Sequence, residues 1–466
     1  MRRDFKSVLC CLLIAILTLL SVTELYADVQ IDTNTDSHSG GSVVVEAEAA
    51  YPEAPDIDGE AGILIDMDTG AILYQKNANE KLYPASITKI MTALLAVENL
   101  ALDSTFTFTQ DIIGQLPYDA AKYGYVAGEQ VTIRDCLYVL MLRSANEVAI
   151  GLGIDIAGSE EEFGKLMTER AKEAGALNTN FVNASGLHDS NHYTTAYDMA
   201  MIAMDAMKNP TFAEIWGNAN YVVMPTNVQP DVVRIWNRHE MLVSTTANYY
   251  QYAIGGKTGY TDEAGKTLVT CASKDGMNLV CVVMKSGAST VYSDTRALFE
   301  YGFNNFQKVS VQGNESRFGQ SDSSYFISHD NLFSQSSKLL ELGDEYVTIP
   351  KNASLGQVGY TLEYSQDEAS NDIAYIRYMI GENYLGETTL KLSVSQSTEQ
   401  ELSLYKEKVE EQEDDNNQLT INVWWVLGII AVIIILIFVF YSLRKTKVRR
   451  KAKRNRKKLF KNKKWK

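Results

Sequence analysis

Cysteine and histidine are both scarce in this chain, at five residues each among 466. Cys10 and Cys11 fall in an apolar run near the start, which leaves Cys136, Cys271 and Cys281, an odd number without metal-type spacing. No disulfide framework is implied, and buried thiols are expected. None of His38, His188, His192, His239 or His329 stands in a nucleophile-elbow or metal-ligand pattern. A Ser-His-Asp hydrolase and a zinc peptidase are therefore poor fits. His188, Asp189 and His192 are read as polar residues of an exposed loop, and neither a metal nor a cofactor is expected.

Basic residues are also sparse through the middle of the chain. The formal net charge of −15 conceals this, because the last 23 residues, Arg444 to Lys466, hold 15 Lys or Arg and no acid. Between residue 27 and that tail, 56 acidic residues face 25 basic ones. Two long apolar runs frame the acidic body. The first, Val8 to Leu20 behind Arg2 and Arg3, reads as a secretory signal peptide over 1–27. The second, 423–443, carries no charge, has Trp424 and Trp425 at one edge and Tyr441 at the other, and is long enough to cross a bilayer. By the positive-inside rule the basic tail, 444–466, is expected to be cytoplasmic and the body to lie outside the cell membrane. The adjacent span makes a nucleic-acid role for the tail unattractive.

Residues 28–52 read as a flexible leader. Strand signals at Gly62–Asp66 and Ala71–Gln75 flank a turn at Asp68-Thr69-Gly70. Helical periodicity follows, over Ile133–Leu142, Glu147–Ile156, Glu161–Ala174 and Tyr197–Met207. Strand character returns at Tyr221–Met224, Tyr252–Ile254, Thr267–Ala272 and Leu279–Met284. The body thus divides into a mixed domain over 53–305, a small all-β domain over 306–396, and an acidic stalk over 397–422.

Chemistry enters at Pro84-Ala85-Ser86-Ile87-Thr88-Lys89. Pro84 suits a helix start, and the residues after it are apolar around nearly the whole circumference. Ser86 and Lys89, three apart, leave the same face, so the amine reaches the hydroxyl. A neutral amine held there takes the hydroxyl proton during attack on a carbonyl carbon. Lys89 must then be uncharged, which burial or a second cation would favour. Alone the pattern is weak, since S-x-x-K arises by chance about twice in a chain of this size, and it recurs at Ser403–Lys406 and Ser442–Lys445. Two further motifs change the odds: Ser144-Ala145-Asn146 after a helical run, and Lys257-Thr258-Gly259 on a returning strand.

In that order the three motifs are those of serine penicillin-binding proteins and related β-lactamases. The chain resembles the low-molecular-mass D-alanyl-D-alanine carboxypeptidases of the S11 peptidase type. The likeness continues through Asn183-Ala184-Ser185-Gly186-Leu187, Thr195–Ala200 and Tyr260–Gly265 and covers roughly 56–303. It implies an α+β fold: a β-lactamase/transpeptidase-like catalytic domain, with an antiparallel sheet and a helical subdomain, then a small all-β domain, to which the apolar run over 423–443 adds one C-terminal transmembrane helix. It implies an acylated Ser86, Lys89 as its base, and Ser144 relaying a proton to the leaving amine. Asn146 would hold the substrate backbone or Lys89. Lys257 and Thr258 would grip the terminal carboxylate, beside Gly259, and the N–H groups of Ser86 and Tyr260 would form the oxyanion hole. The implied partners are peptidoglycan stem peptides ending in D-Ala-D-Ala, with β-lactams as covalent inhibitors.

Two features depart from the family pattern. An Arg downstream of K-T-G has no clear counterpart, Arg296 being shifted toward the final helix, and the chain ends in a full span instead of an amphipathic surface helix. Two other readings compete. A β-lactamase would need an E-x-x-L-N element, and Glu173–Asn178 is one residue too long. A non-catalytic wall-binding scaffold would have no use for the intact motifs.

Overall fold

The computed structural model describes residues 42–318, 340–365 and 372–392. The secretory run, the stalk, the span over 423–443 and the basic tail lie outside the described residues. Among those described, no helix is long and apolar enough to cross a membrane.

The strands in chain order are β1 (Ser42–Val45), β2 (Ala61–Asp66), β3 (Ile72–Lys76), β4 (Thr105–Thr107), β5 (Gln130–Thr132), β6 (Asn220–Val223), β7 (Val233–Trp236), β8 (Ala253–Thr261), β9 (Gly265–Lys274) and β10 (Met277–Ser286). The second domain adds β11 (Phe306–Ser310), β12 (Leu340–Leu342), β13 (Tyr346–Pro350), β14 (Gly359–Tyr364), β15 (Asp372–Ile380) and β16 (Asn383–Leu392). The helices are α1 (Lys89–Asn99), α2 (Gln110–Gly114), α3 (Ile133–Arg143), α4 (Asn146–Ala157), α5 (Glu160–Glu173), α6 (Ala196–Met207), α7 (Pro210–Gly217) and α8 (Val291–Asn305).

β2, β3, β8, β9 and β10 form one antiparallel sheet in the order β3-β2-β10-β9-β8. Its central strands are apolar on both faces, as a sheet covered on both sides requires. One face packs with α1 and α3 to α7 in a large core, and the other packs with α8 around Phe299, Leu298 and Leu279. Helix α1 runs through the first core, and all eight residues from Lys89 to Ala96 are buried. The apolar circumference read in the sequence is thus that of an interior helix. Ser86 itself sits on a single 3-10 turn, Ala85–Thr88, that leads directly into α1.

The small domain is a five-stranded sheet, β1-β14-β15-β16-β12, with the pair β11–β13 beside it. Residues 28–52 were read as a leader, yet β1 pairs antiparallel with β14, and the Tyr51 hydroxyl bonds the carbonyls of Ile72 and Leu73. The three consecutive valines that broke the polar composition are the strand. Asp66, fully buried on β2, accepts from Thr348 Oγ1 at 2.7 Å, and Lys308 meets Asp68 at 2.7 Å, so the β domain is fastened to the turn after β2.

Candidate active site

Three connections meet at the first turn of α1. Its approach is unusual, because Ala85 has φ +49° and its carbonyl leaves no room for a Cβ at Gly186. Behind that turn, β9 holds the preceding carbonyl: Thr267 Oγ1 donates to Pro84 O at 2.8 Å. Gly259 on β8 passes so close that a Cβ there would lie 2.9 Å from Ser86 N and 3.0 Å from Pro84 O. A side chain at 259 would displace the serine. As the edge strand of its sheet, β8 has ladder partners on one side only, which leaves N–H groups on the other side free for a ligand.

Lys89 is wholly buried, and its amine has three partners: Ser86 Oγ at 3.0 Å, Asn146 Oδ1 at 2.6 Å and Ser185 O at 2.5 Å. An ammonium donates to all three. Once one proton is lost, the two remaining N–H groups match Asn146 and Ser185, and the lone pair faces Ser86. Burial holds the Lys89 pKa well below its ordinary range. Lys257 pushes it lower, Glu147 pulls the other way, and Arg238 adds to the lowering.

Ser144 ends α3 in the left-handed conformation, at φ +62°, and with Ala145 forms the two-residue link to α4. That link is short enough to hold Ser144 and Asn146 against one cleft wall. The Lys257 amine donates to Ser144 Oγ at 3.2 Å and to Thr258 O at 2.8 Å. Burial and then Arg238 bring its pKa down to about 7. The structure therefore gathers Ser86, Lys89, Ser144, Asn146, Lys257, Thr258 and Gly259 into one cleft, with Tyr260, a residue 56% exposed, next along β8.

Asn183 Oδ1 accepts from Ser185 N and Gly186 N, which shapes the loop that presents Ser185 O to Lys89. Sequence reasoning quoted this loop without giving it that duty. Its signal was present, in an Asn two residues before a Ser-Gly pair. His192 needs a correction. It is buried, donating from Nε2 to Thr88 Oγ1 at 2.9 Å while Nδ1 accepts from Val182 N at 3.1 Å, so it braces the turn after Ser86. Burial lowers its pKa to about 4 and keeps the ring neutral. Arg296 lies away from the cleft, bonded to the carbonyls of Asn248 and Tyr249. Arg238 acts on both lysines instead. It was overlooked because it precedes K-T-G in sequence, where no local pattern marks it. Cys136, Cys271 and Cys281 are free and buried, and no cluster of possible metal ligands occurs among the described residues.

Residues 48–288 match the family model described as D-alanyl-D-alanine carboxypeptidase, peptidase S11. The D-alanyl-D-alanine carboxypeptidase DacF of Bacillus subtilis is 37% identical over 240 residues, which cover 50% of this chain and 58% of that protein. DacC of Escherichia coli is 31% identical over 55% of this chain and 64% of its own length, and DacB2 of Mycobacterium tuberculosis is 32% identical over 53% and 84%. The chain thus spans less than two thirds of the first two of these relatives. Among solved structures, the Streptomyces K15 DD-transpeptidase aligns with TM-score 0.51 and 29% identity over 54% of this chain and all of its own. Penicillin binding protein 5 of Haemophilus influenzae aligns over 73% of this chain and 98% of its own with TM-score 0.57, a likeness of fold at 23% identity. On the family match and these relatives together, the chain belongs to the D-alanyl-D-alanine carboxypeptidase family, peptidase S11.

Proposed function

We propose that this protein is a serine-type carboxypeptidase that removes the terminal D-alanine from peptidoglycan stem peptides and is acylated by penicillins. The observation that carries the reading is the buried Lys89 amine, 3.0 Å from Ser86 Oγ and held below its ordinary pKa. Ser86 Oγ attacks the carbonyl carbon of the penultimate D-alanine while Lys89 takes its proton. Negative charge then develops on the carbonyl oxygen, and the N–H groups of Ser86 and Tyr260 stabilise it. Collapse of the intermediate breaks the peptide bond, and Ser144, hydrogen-bonded to Lys257, passes a proton to the leaving amine. Lys257 and Thr258 grip the substrate carboxylate, with Arg238 as the further cation of this end. Water then attacks the ester, its proton restoring the Ser144–Lys257 pair, and Lys89 returns its proton to Ser86 Oγ as the ester bond breaks.

The secretory run and the apolar span support a chain anchored in a bacterial membrane, with this cleft outside and the basic tail within. The test is release of free D-alanine from a pentapeptide ending in D-Ala-D-Ala. Wild type is expected to release it, and Ser86→Ala to lose at least about a thousandfold in rate. Equal release by the two proteins would refute the assignment. Rapid turnover of a penicillin without D-alanine release would favour a β-lactamase on the same fold.

A further inference from the structure

Glu147 follows Asn146 in the first turn of α4 and is 1% exposed. The mechanism above makes no use of it. Its Oε1 accepts the N–H groups of Tyr123 at 2.7 Å and Gly124 at 2.8 Å, and the neighbouring Asn146 N–H bonds Ala121 O at 2.9 Å. Three hydrogen bonds thus fasten the loop 121–124 to the turn that carries the amide partner of Lys89. Oε2 is buried without a hydrogen-bond partner. A latch alone needs only the first oxygen, which a neutral glutamine would supply. What glutamate adds is a full negative charge in a site where water screens little.

We propose that Glu147 is a positioning residue for acylation: through one oxygen it fixes the 121–124 loop, whose Ala121 carbonyl in turn holds the Asn146 N–H, and its buried charge sets the field in which the Lys89 amine works. The proposal rests on the reading of Lys89 as the base for Ser86. The titratable and charged groups around the pair come from several elements. Lys257 on β8 and Arg238 after β7 are cationic, His192 is neutral, and Cys136 on α3 responds to Asp135, Asp155 and Glu147 together. For the Lys89 amine, burial and the two cations favour the neutral form, whereas Glu147 favours the protonated one. The opposition keeps the amine from becoming too weak a base to take the Ser86 proton.

Removing the anion lowers the Lys89 pKa further, so the neutral amine persists to lower pH. The second-order rate of acylation by a fluorescent penicillin, measured against pH, reads this directly. Glu147→Gln is expected to move the acid limb down by about half a pH unit or more. Glu147→Asp keeps the charge on a shorter arm, so its limb stays in place while its plateau falls. In wild type, the Tyr123 and Gly124 amides are expected to exchange with deuterium far more slowly than those of a free loop. An acid limb that stays put or rises in Glu147→Gln overturns the proposal. If that variant does not fold, the other two measurements decide: an Asp variant with a lowered limb, or fast exchange at both wild-type amides, overturns it. Wild type that fails to acylate at Ser86 would instead sink the underlying assignment, whereas acylation with superimposable limbs sinks this proposal alone.

Discussion

On the proposed function, Lys257 serves two ends that pull its protonation in opposite directions. A carboxylate grip wants a charged amine, whereas its burial beside Arg238 favours the neutral one, with a pKa of about 7. Because the folded value is depressed, the unfolded chain holds this proton to higher pH. The cost to stability is therefore complete below about pH 7 and is relieved as pH rises toward 10.5. The catalytic consequence runs the other way. In the free enzyme, kcat/KM for D-alanine release should fall as pH rises through about 7, and Arg238→Ala should move that alkaline limb upward by removing the depressing cation. A profile flat to pH 10, or an unmoved limb in Arg238→Ala, would contradict this division of labour. Of the residues involved, Ser86 and Lys89 were legible because their relation is local, three residues on one helix face. The effect of Arg238 on Lys257 was not, because it exists only after β8 and the segment behind β7 are brought together.

At the scale of elements, the site depends on how closely β8 approaches the turn before α1. Gly259 is the point of closest passage, and its backbone is not strained, so the requirement is for space. In Gly259→Ala the added methyl meets Ser86 N, Pro84 O and Thr267 Oγ1, two of them main-chain atoms that yield only if the serine moves. A displacement of about 1 Å at a nucleophile costs roughly a hundredfold in rate. The acylation rate of Gly259→Ala by penicillin should fall by about that factor, while Gly114→Ala, where the methyl enters open space, should match wild type. Near-normal acylation in Gly259→Ala would show that the approach is looser than described. The same strand explains a partial miss in the sequence reading, which saw strand character at 252–254 and set Lys257-Thr258-Gly259 on a returning strand without joining them into the one strand 253–261. Gly255, Gly256 and Gly259 interrupt the alternation that marks a strand, and they do so because the Trp216 ring, the His239 ring and the Pro84–Ser86 main chain pass close to them in turn. The helices α3 to α6 were legible nearly to their ends, since each covers a core with an unbroken apolar stripe.

Across the whole molecule, two cores on opposite faces of one sheet fix the cleft, and the β domain is joined to that sheet through the buried Asp66 and Thr348. Thr348→Val leaves the Asp66 carboxylate with only the Asp68 N–H, at 2.9 Å, as partner. A buried group that loses a partner costs about 1 to 3 kcal/mol. Thermal unfolding of this variant should move down by several degrees, with its acylation rate within about twofold of wild type. An unchanged melting temperature would show that this contact does not hold the domains. Order of this kind was only partly legible: an alternating β domain was visible after residue 303, but the strand it borrows from residues 42–45 comes from far upstream, and pairing at that separation leaves no local pattern. The central claim is that a desolvated amine makes Ser86 the nucleophile of this cleft. It is tested most directly by treating the protein with penicillin, digesting it and locating the adduct by mass spectrometry. One penicilloyl group on the peptide bearing Ser86, absent in Ser86→Ala, is the predicted result; no adduct, or an adduct on any other residue, would contradict it.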